Sequence, residues 1–358
     1  MATSKKLDKF LDETTAAPEA PPHLKVAQRE IKDLKRKLAL NESGADIIIQ
    51  TVREIFGEEP PEYEVPPAAR QGKKDSSEIA VLHLSDLQIG KTTTSYDTAV
   101  AHERLRLVGQ KAVEIIGLRQ KIARVDELHL LLGGDLIEGE RIFATQAHEI
   151  DTPLIRQACI DAPNAILSVI RSLLPMVPKI HVHSVRGNHG RDDHESSPAT
   201  NWDTVVGLVL EQMAKPCKGR VTFNIAIEDW KRTFTTYGWR HLLCHGHQIR
   251  GMLGFPWYGF GKKTQGWYQT VEPYDFVWTG HFHTAAAFVI NNIMCLANGT
   301  TESDNAYAQE ELAAGGHPCQ RLAMFNESHG LIADMLLHLG ERRPNNQMKP
   351  TIDRSQSQ

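Results

Sequence analysis

From residue 79 onward, short apolar runs alternate with longer amphipathic stretches. Residues 79–84, 128–132, 180–185, 242–244 and 276–278 read as short buried strands, bounded by glycine-containing polar sequence. Residues near 97–122, 151–174 and 202–214 carry helical patterns. Strands alternating with helices predict an α/β class. Residues 288–290 and 294–297, joined across Asn291 and Asn292, read as an antiparallel hairpin. No internal repeat is visible.

The N-terminal third has a different texture. Residues 1–22 are polar, end in Ala17-Pro18 and Pro21-Pro22, and are expected to be disordered. Residues 23–56 form a predicted helical arm, in which Leu24, Ala27, Ile31, Leu34 and Leu38 step by three and four as in a coiled-coil seam. Only about two heptads are present, so a homodimer through this helix and a helix packed on its own domain both remain open. Ser43 reads as the cap of a second helix with Ile48, Val52 and Ile55 on one face. Prolines and a polar run mark 57–78 as a linker. The main domain is expected over 79–340, and a disordered polar tail over 341–358.

Composition narrows the class. The 358 residues carry a formal net charge of -4 and are 41% hydrophobic, enough to bury a sizeable core. This balance lacks the basic footprint of a general nucleic-acid binder and leaves room only for a local basic groove. The five cysteines are scattered without a C-x-x-C pair, which argues against a disulfide framework or a structural zinc site and predicts a reducing, cytoplasmic setting. The opening residues are not followed by an apolar stretch of signal length, and no run approaches a membrane span. No membrane association is expected.

The chemistry gathers at the strand ends. The first strand runs into Ser85-Asp86-Leu87-Gln88, and the second into Gly133-Gly134-Asp135-Leu136-Ile137-Glu138. The third runs into Arg186-Gly187-Asn188-His189, the fourth into His245-Gly246-His247 and the fifth into Gly280-His281-Phe282-His283. Open α/β sheets collect ligands at the carboxyl ends of their strands. An aspartate after a strand is, taken alone, more often a turn or cap residue. Five strand ends that each deliver carboxylate, amide or imidazole groups point instead to a pair of divalent cations and to hydrolysis of a phosphate ester. Gly134, Gly187 and Gly280 allow tight turns and close backbone approach beside these groups.

The series D-x-[H/Q], G-D, G-N-H, H, G-H-x-H resembles the calcineurin-like metallophosphoesterase superfamily over about residues 79–300. Within it, Leu84-Ser85-Asp86-Leu87-Gln88-Ile89-Gly90 is similar to the opening of the SbcD-like DNA repair exonucleases, and Asn298-Gly299-Thr300 resembles the small-residue turn after their last motif. The resemblance implies a four-layer α/β sandwich of two facing mixed β-sheets flanked by helices. It implies one metal held by Asp86, Gln88, Asp135 and His283, with Asp135 bridging to a second held by Asn188, His245 and His281. His189 would protonate the leaving oxygen or steady the charged phosphate, and imidazole suits proton delivery. Two divalent ions are implied, manganese first, with iron, zinc or magnesium as alternatives.

Two positions depart from the pattern. Gln88 stands where the first motif usually has histidine, which predicts a weaker first metal site or a preference for manganese or magnesium. Gly190 stands where many members carry an acid that orients the histidine, leaving Asp192 or Asp193 as substitutes. The protein Ser/Thr phosphatase branch usually has that acid and a different sequel to G-D, and both absences count against it. His247 is an alternative to His245 as ligand, and Glu138 reads either as a helix cap or as the partner of a metal-bound imidazole. His102, Arg104 and Arg106 read as a solvated helix face.

Between the last two motifs, the run from Phe255 to Lys263, followed by Gln265, Trp267 and Tyr268, interleaves aromatics with lysines. Such a loop can stack bases and neutralise phosphates, and equally can pack on the core. On the first reading, Trp257, Tyr258, Lys262, Lys263 and Arg191 are candidate substrate contacts. The function expected is therefore a metal-dependent phosphodiesterase acting on DNA, a nuclease of repair or recombination. A nucleotide or phosphoprotein phosphatase, or a catalytically weak scaffold of the same fold, are the alternatives.

Overall fold

In the computed structural model, residues 63–69, 71, 74–143, 146–217, 219–250, 256–304, 317–342, 348 and 349 are described. The expected disordered N-terminus, the helical arm and the homodimer contact through it lie outside these residues.

β1 (Ser77–Leu84) buries seven consecutive side chains, as a strand covered on both faces must. α1 (Thr98–Arg119) follows, capped by Asp97, which accepts the Val100 N–H. β2 (Arg124–Leu132) ends in five buried residues. A helical turn at Leu154–Arg156 and a π-helical segment at Gln157–Asp161 lead into α2 (Ala162–Leu173). Then come β3 (Lys179–Ser184), α3 (Trp202–Met213), β4 (Val221–Ile225), β5 (Lys231–Thr236) and β6 (Trp239–Cys244). α4 (Trp257–Thr270), β7 (Phe276–Thr279), β8 (Ala286–Ile290) and β9 (Ile293–Ala297) complete the second half. β10 (Cys319–Asn326) and β11 (Gly330–His338) form a closing hairpin.

Two mixed sheets result. The first has the order β11-β10-β1-β2-β3-β4, with β1 to β4 parallel and β10 antiparallel to β1. The second has the order β5-β6-β7-β9-β8, with a parallel centre and antiparallel edges. Val81, Leu131, Ala323 and Phe325 of the first sheet meet Leu243, Phe276, Trp278 and Leu296 of the second in one core. Along β6 the alternate residues Leu242 and Cys244 point the other way, into a second core with Phe260 and Trp267 of α4. α1 touches β2 and α3 touches β4, while α2 packs between these two helices. The layers are thus helices, sheet, sheet, helix, the expected four-layer α/β sandwich.

The hairpin forms as its sequence predicts, since Asn291 and Asn292 both adopt positive φ, as a two-residue turn of this twist requires. Other details differ. The sheet begins at Ser77, and the described part of the expected linker is tied to the domain. Ala69 N–H donates to the Pro175 carbonyl, Arg220 to that of Pro66, and the Gln71 amide brackets the Val125 backbone. Prolines leave their carbonyls free to accept, so a Pro-rich strand can be held from outside. In the expected tail, Glu341–Arg342 pairs antiparallel with Met348–Lys349. Arg104, expected on a solvated face, is buried and donates to the Thr301 carbonyl and Ser303 Oγ, because α1 turns this residue toward the 301–303 loop. No helix among the described residues is long and apolar enough to cross a membrane.

Candidate metal centre

All five motif segments lie just past the carboxyl ends of parallel strands: β1, β2 and β3 in one sheet, β6 and β7 in the other. The two sheets therefore converge on one edge. Asp86, Gln88, Asp135, His281 and His283 all have positive φ, between 43° and 72°. For non-glycine residues this is costly, roughly 1–3 kcal/mol each, and it persists only where the surroundings fix it. Here they do. Asp86 N–H donates to the Gly134 carbonyl at 3.0 Å, and Gln88 N–H to that of Asp135 at 3.0 Å. Thr300 Oγ1 donates to the Asp86 carbonyl, and His281 N–H to the Asp86 carboxylate at 2.9 Å. Two glycines permit the approach, since a Cβ on Gly187 would collide with the Asp135 carboxylate and one on Gly280 with that of Asp86.

The donor set is that of a cation site. His245 Nδ1 lies 2.8 Å from the Gly133 carbonyl, which can only accept, so Nδ1 carries the proton. The Nε2 lone pair then faces Asp135 Oδ2 at 2.8 Å and Asn188 Oδ1 at 3.1 Å. Asp135, His245 and His281 bring ligand atoms within 4.8 Å of one another. A second convergence repeats the logic. His283 Nδ1 bonds Glu302 Oε1 at 2.7 Å, which turns Nε2 toward Asp86 Oδ1 at 3.4 Å. Gln88 Oε1 is buried without a hydrogen-bond partner, while its Nε2 lies 3.2 Å from His189 Nε2. Acceptor atoms this close are held together by a positive charge between them, either a proton on the imidazole or a bound cation. The electrostatics agree: burial opposes charge on His245, but Asp135 raises it to about 9, and Glu302 and Asp86 raise His283 against the same burial. His281, half-buried beside His245, is instead pushed down to about 3 by desolvation and by that neighbour, which keeps its ring neutral and able to ligate.

His189 stands one residue past Asn188, its N–H donating to Asp135 Oδ1 at 2.8 Å and its ring 4.8 Å from that of Phe143. Its Nδ1 lies 3.2 Å from Glu138 Oε2. Glu138 is thus the partner of His189, rather than of a ligand imidazole or a helix end. Asp192 and Asp193 are engaged elsewhere, Asp192 facing Arg141 at 3.8 Å and Asp193 closing a turn on Ser196. Burial opposes charge on His189, yet Glu138 and Asp135 raise its pKa above the ordinary histidine value.

Three residues escaped the sequence reading. Asp203, fully buried in the first turn of α3, accepts the N–H groups of Asp135, Leu136 and Gly187 at 2.8–2.9 Å and so joins two ligand loops. Burial, and then the charge of Asp135, raise its carboxyl. Glu302 orients His283, and Lys91 lies between Glu302 and Glu138. The only local signals were a carboxylate next to a helix cap, one after Asn298-Gly299-Thr300, and a lysine shortly after Gln88.

The remaining candidates divide. His247 is exposed at the rim, its ring 5.6 Å from that of His245, while His245 is fully buried among the ligand atoms. Arg191 is half-buried and donates to the His194 carbonyl at 3.2 Å. The aromatic segment is a helix over its described part, not a loop. Phe260, Thr264 and Trp267, at helical spacing, are buried, whereas Trp257 and Tyr258 are 47% and 67% exposed. Lys262 is exposed and Lys263 Nζ lies 5.9 Å from the Trp267 ring.

No family model and no curated protein matches the chain. Among solved structures it is similar to a conserved Streptococcus pneumoniae protein described as a predicted phosphoesterase. That match has 12% identity and a TM-score of 0.31, and covers 73% of this chain and 98% of that one. Zinc-complexed Vps29 from Entamoeba histolytica and a structure described as a novel archaeal phosphodiesterase each match at 12% identity and a TM-score of 0.34, covering 72% of this chain and 99% of theirs. At such values these likenesses assign neither an activity nor a substrate to the chain.

Proposed function

We propose that the chain is a phosphoesterase working with two divalent cations, one held by Asp86, Gln88, Asp135 and His283, the other by Asp135, Asn188, His245 and His281. The observation that carries this reading is the facing of acceptor lone pairs at two adjacent points, around His245 Nε2 and His283 Nε2. Such a pair, when bound, offsets the charge of a phosphate ester and makes water a better nucleophile at neutral pH. His189 delivers the proton to the leaving oxygen, as imidazole suits a step near neutral pH. Glu138 holds its ring from the Nδ1 side. Asp135 would be shared by both cations; its Oδ2 lies 2.8 Å from His245 Nε2, and its Oδ1 is steadied by the His189 N–H.

The substrate proposed is a phosphodiester of DNA, and the ion first expected is manganese. What favours a polymer is α4, which presents Trp257, Tyr258 and Lys262 outward just after the His245–His247 segment. Exposed aromatics beside cations suit stacked bases and phosphates. Purified protein should hydrolyse bis(p-nitrophenyl) phosphate with manganese and lose that activity in EDTA. Labelled single- and double-stranded DNA, tested in parallel, should be cut. Metal-independent or absent hydrolysis of every ester tried would remove the enzymatic reading and leave a scaffold. Hydrolysis of nucleotides or phosphoproteins with DNA untouched would remove the nuclease.

A further inference from the structure

Lys91 is buried, its side chain 9% exposed, and its ammonium lies 3.2 Å from Glu302 Oε2 and 3.8 Å from Glu138 Oε2. Both carboxylates are themselves 3% exposed. Each faces the Nδ1 of a different histidine, Glu138 that of His189 at 3.2 Å and Glu302 that of His283 at 2.7 Å. The five side chains form one chain of contacts, from the proposed acid at one end to a proposed ligand at the other. Nothing in the roles assigned above uses the lysine at its centre.

The placement of Lys91 is built in. Its N–H donates to the Gln88 carbonyl, Gly90 before it takes a φ of +106°, and its backbone bridges to Ile150. Two carboxylates cannot stay ionised side by side in a buried site without a cation, and an ionised carboxylate only accepts. With Lys91 present, both remain acceptors and both histidines keep the proton on Nδ1. Without it, both carboxylates lose the cation that holds them, and each imidazole they face is free to rotate or change tautomer.

We propose that Lys91 is a positioning residue which, through Glu138 and Glu302, holds His189 and His283 in the tautomer and orientation that hydrolysis requires, an inference that rests on the phosphoesterase reading for its catalytic half. Its two arms have different signatures. The Glu138 arm serves proton delivery, which matters for esters with a basic leaving oxygen and little for p-nitrophenolate. The Glu302 arm serves the His283 lone pair, and hence cation affinity.

The test uses the full chain. Lys91→Met should weaken manganese binding in calorimetry by roughly 10–100-fold, the usual effect of losing a group that orients a ligand. At saturating manganese it should slow an unactivated phenyl phosphodiester at least about tenfold more than the p-nitrophenyl ester. Glu302→Gln should reproduce the first effect alone, and Glu138→Gln the second alone. Long-range ¹H–¹⁵N imidazole spectra supply a readout without catalysis. Wild type should show a proton on Nδ1 of both histidines, and Lys91→Met should lose it at both. Unchanged spectra overturn the proposal, as do equal losses on the two esters with metal affinity intact. Should Lys91→Met fail to fold, Lys91→Arg keeps the charge, and then the Nδ1–H signals must persist. Their loss in that folded variant also overturns the role. If wild type hydrolyses neither ester, the phosphoesterase reading fails by itself and the spectra still decide the Lys91 network.

Discussion

Gln88 shows what a single residue decides. Its Oε1 is buried without a partner while its Nε2 reaches His189, so on the proposed reading the amide would serve a cation site and the acid at once. Histidine at that place would offer a better ligand and lose the second contact. Gln88→His should therefore bind metal more tightly in calorimetry, yet turn over poor-leaving-group esters roughly tenfold more slowly, within the range for groups that support a metal site. No gain in affinity would mean the pocket is shaped for glutamine. Asp203 makes a matching case. Asparagine keeps one oxygen but turns an NH₂ toward N–H groups that now meet a carboxylate. Leaving such a donor unmet costs about 1–3 kcal/mol. Asp203→Asn should lower the melting temperature in EDTA and loosen metal binding further. An unchanged melting temperature would show that those N–H groups do not depend on the second oxygen. The motif residues were legible because each follows its strand within a few positions. Asp203, Glu302 and Lys91 were not, because their partners come from loops distant in sequence and no periodicity marks them.

At the scale of elements, the buried strands β1, β2 and β7 read clearly, whereas β10, equally buried, did not, because Gln320 and Arg321 interrupt its apolar run. β5 and β11 did not, since Lys231–Thr236 and Gly330–His338 mix polar and apolar residues on partly open faces. α4 is the instructive miss. Glycines at 259, 261 and 266 lower helix propensity, so the segment reads as a loop, and packing against the second sheet overrides that preference. The helix then splits its aromatics between both readings of the segment. Phe260 fills the core, and Phe260→Ala should cost about 3–5 kcal/mol and impair every substrate equally. Trp257 and Tyr258 face outward. Changing both to Ala should leave p-nitrophenyl ester turnover within a few-fold. DNA cleavage should fall by one to two orders of magnitude, since each stacked base contributes about 1–3 kcal/mol. Changing Lys262 to Ala should flatten the salt dependence of DNA binding. Parallel losses on both substrates, with a lower melting temperature, would return these aromatics to a structural role.

The molecule as a whole is held by a core between two sheets that includes histidines, and this sets its response to acid. His129 of β2 and His183 of β3 share a hydrogen bond of 3.0 Å, and their rings stack with Phe234. His241 of β6 accepts from Trp278 Nε1 at Nδ1, so its Nε2 carries the proton and donates to Thr236 Oγ1 at 2.8 Å. An added proton would set donor against donor at these contacts, or sit on His183 Nδ1, which is buried without a partner. Burial pushes His129 down to about 2, and His183 and His241 to about 3. Unfolded, each would titrate near 6.5. Below that value the unfolded chain binds protons that the folded chain refuses, so stability is full above about pH 6.5 and is lost as pH falls toward the folded values. Each ring contributes up to about 1.4 kcal/mol per pH unit in that window. Three together are large against the 5–15 kcal/mol that typically holds a domain folded. The melting temperature in EDTA, where metal release plays no part, should rise a little from pH 8 to 7, because His245 and His283 hold protons that the unfolded chain does not, and fall steeply below 6. Replacing His241 with Gln, which cannot gain a proton, should make that fall shallower even if it lowers stability at neutral pH. A melting temperature that stays level from pH 7 to 5 would mean that these rings accept protons in the folded core.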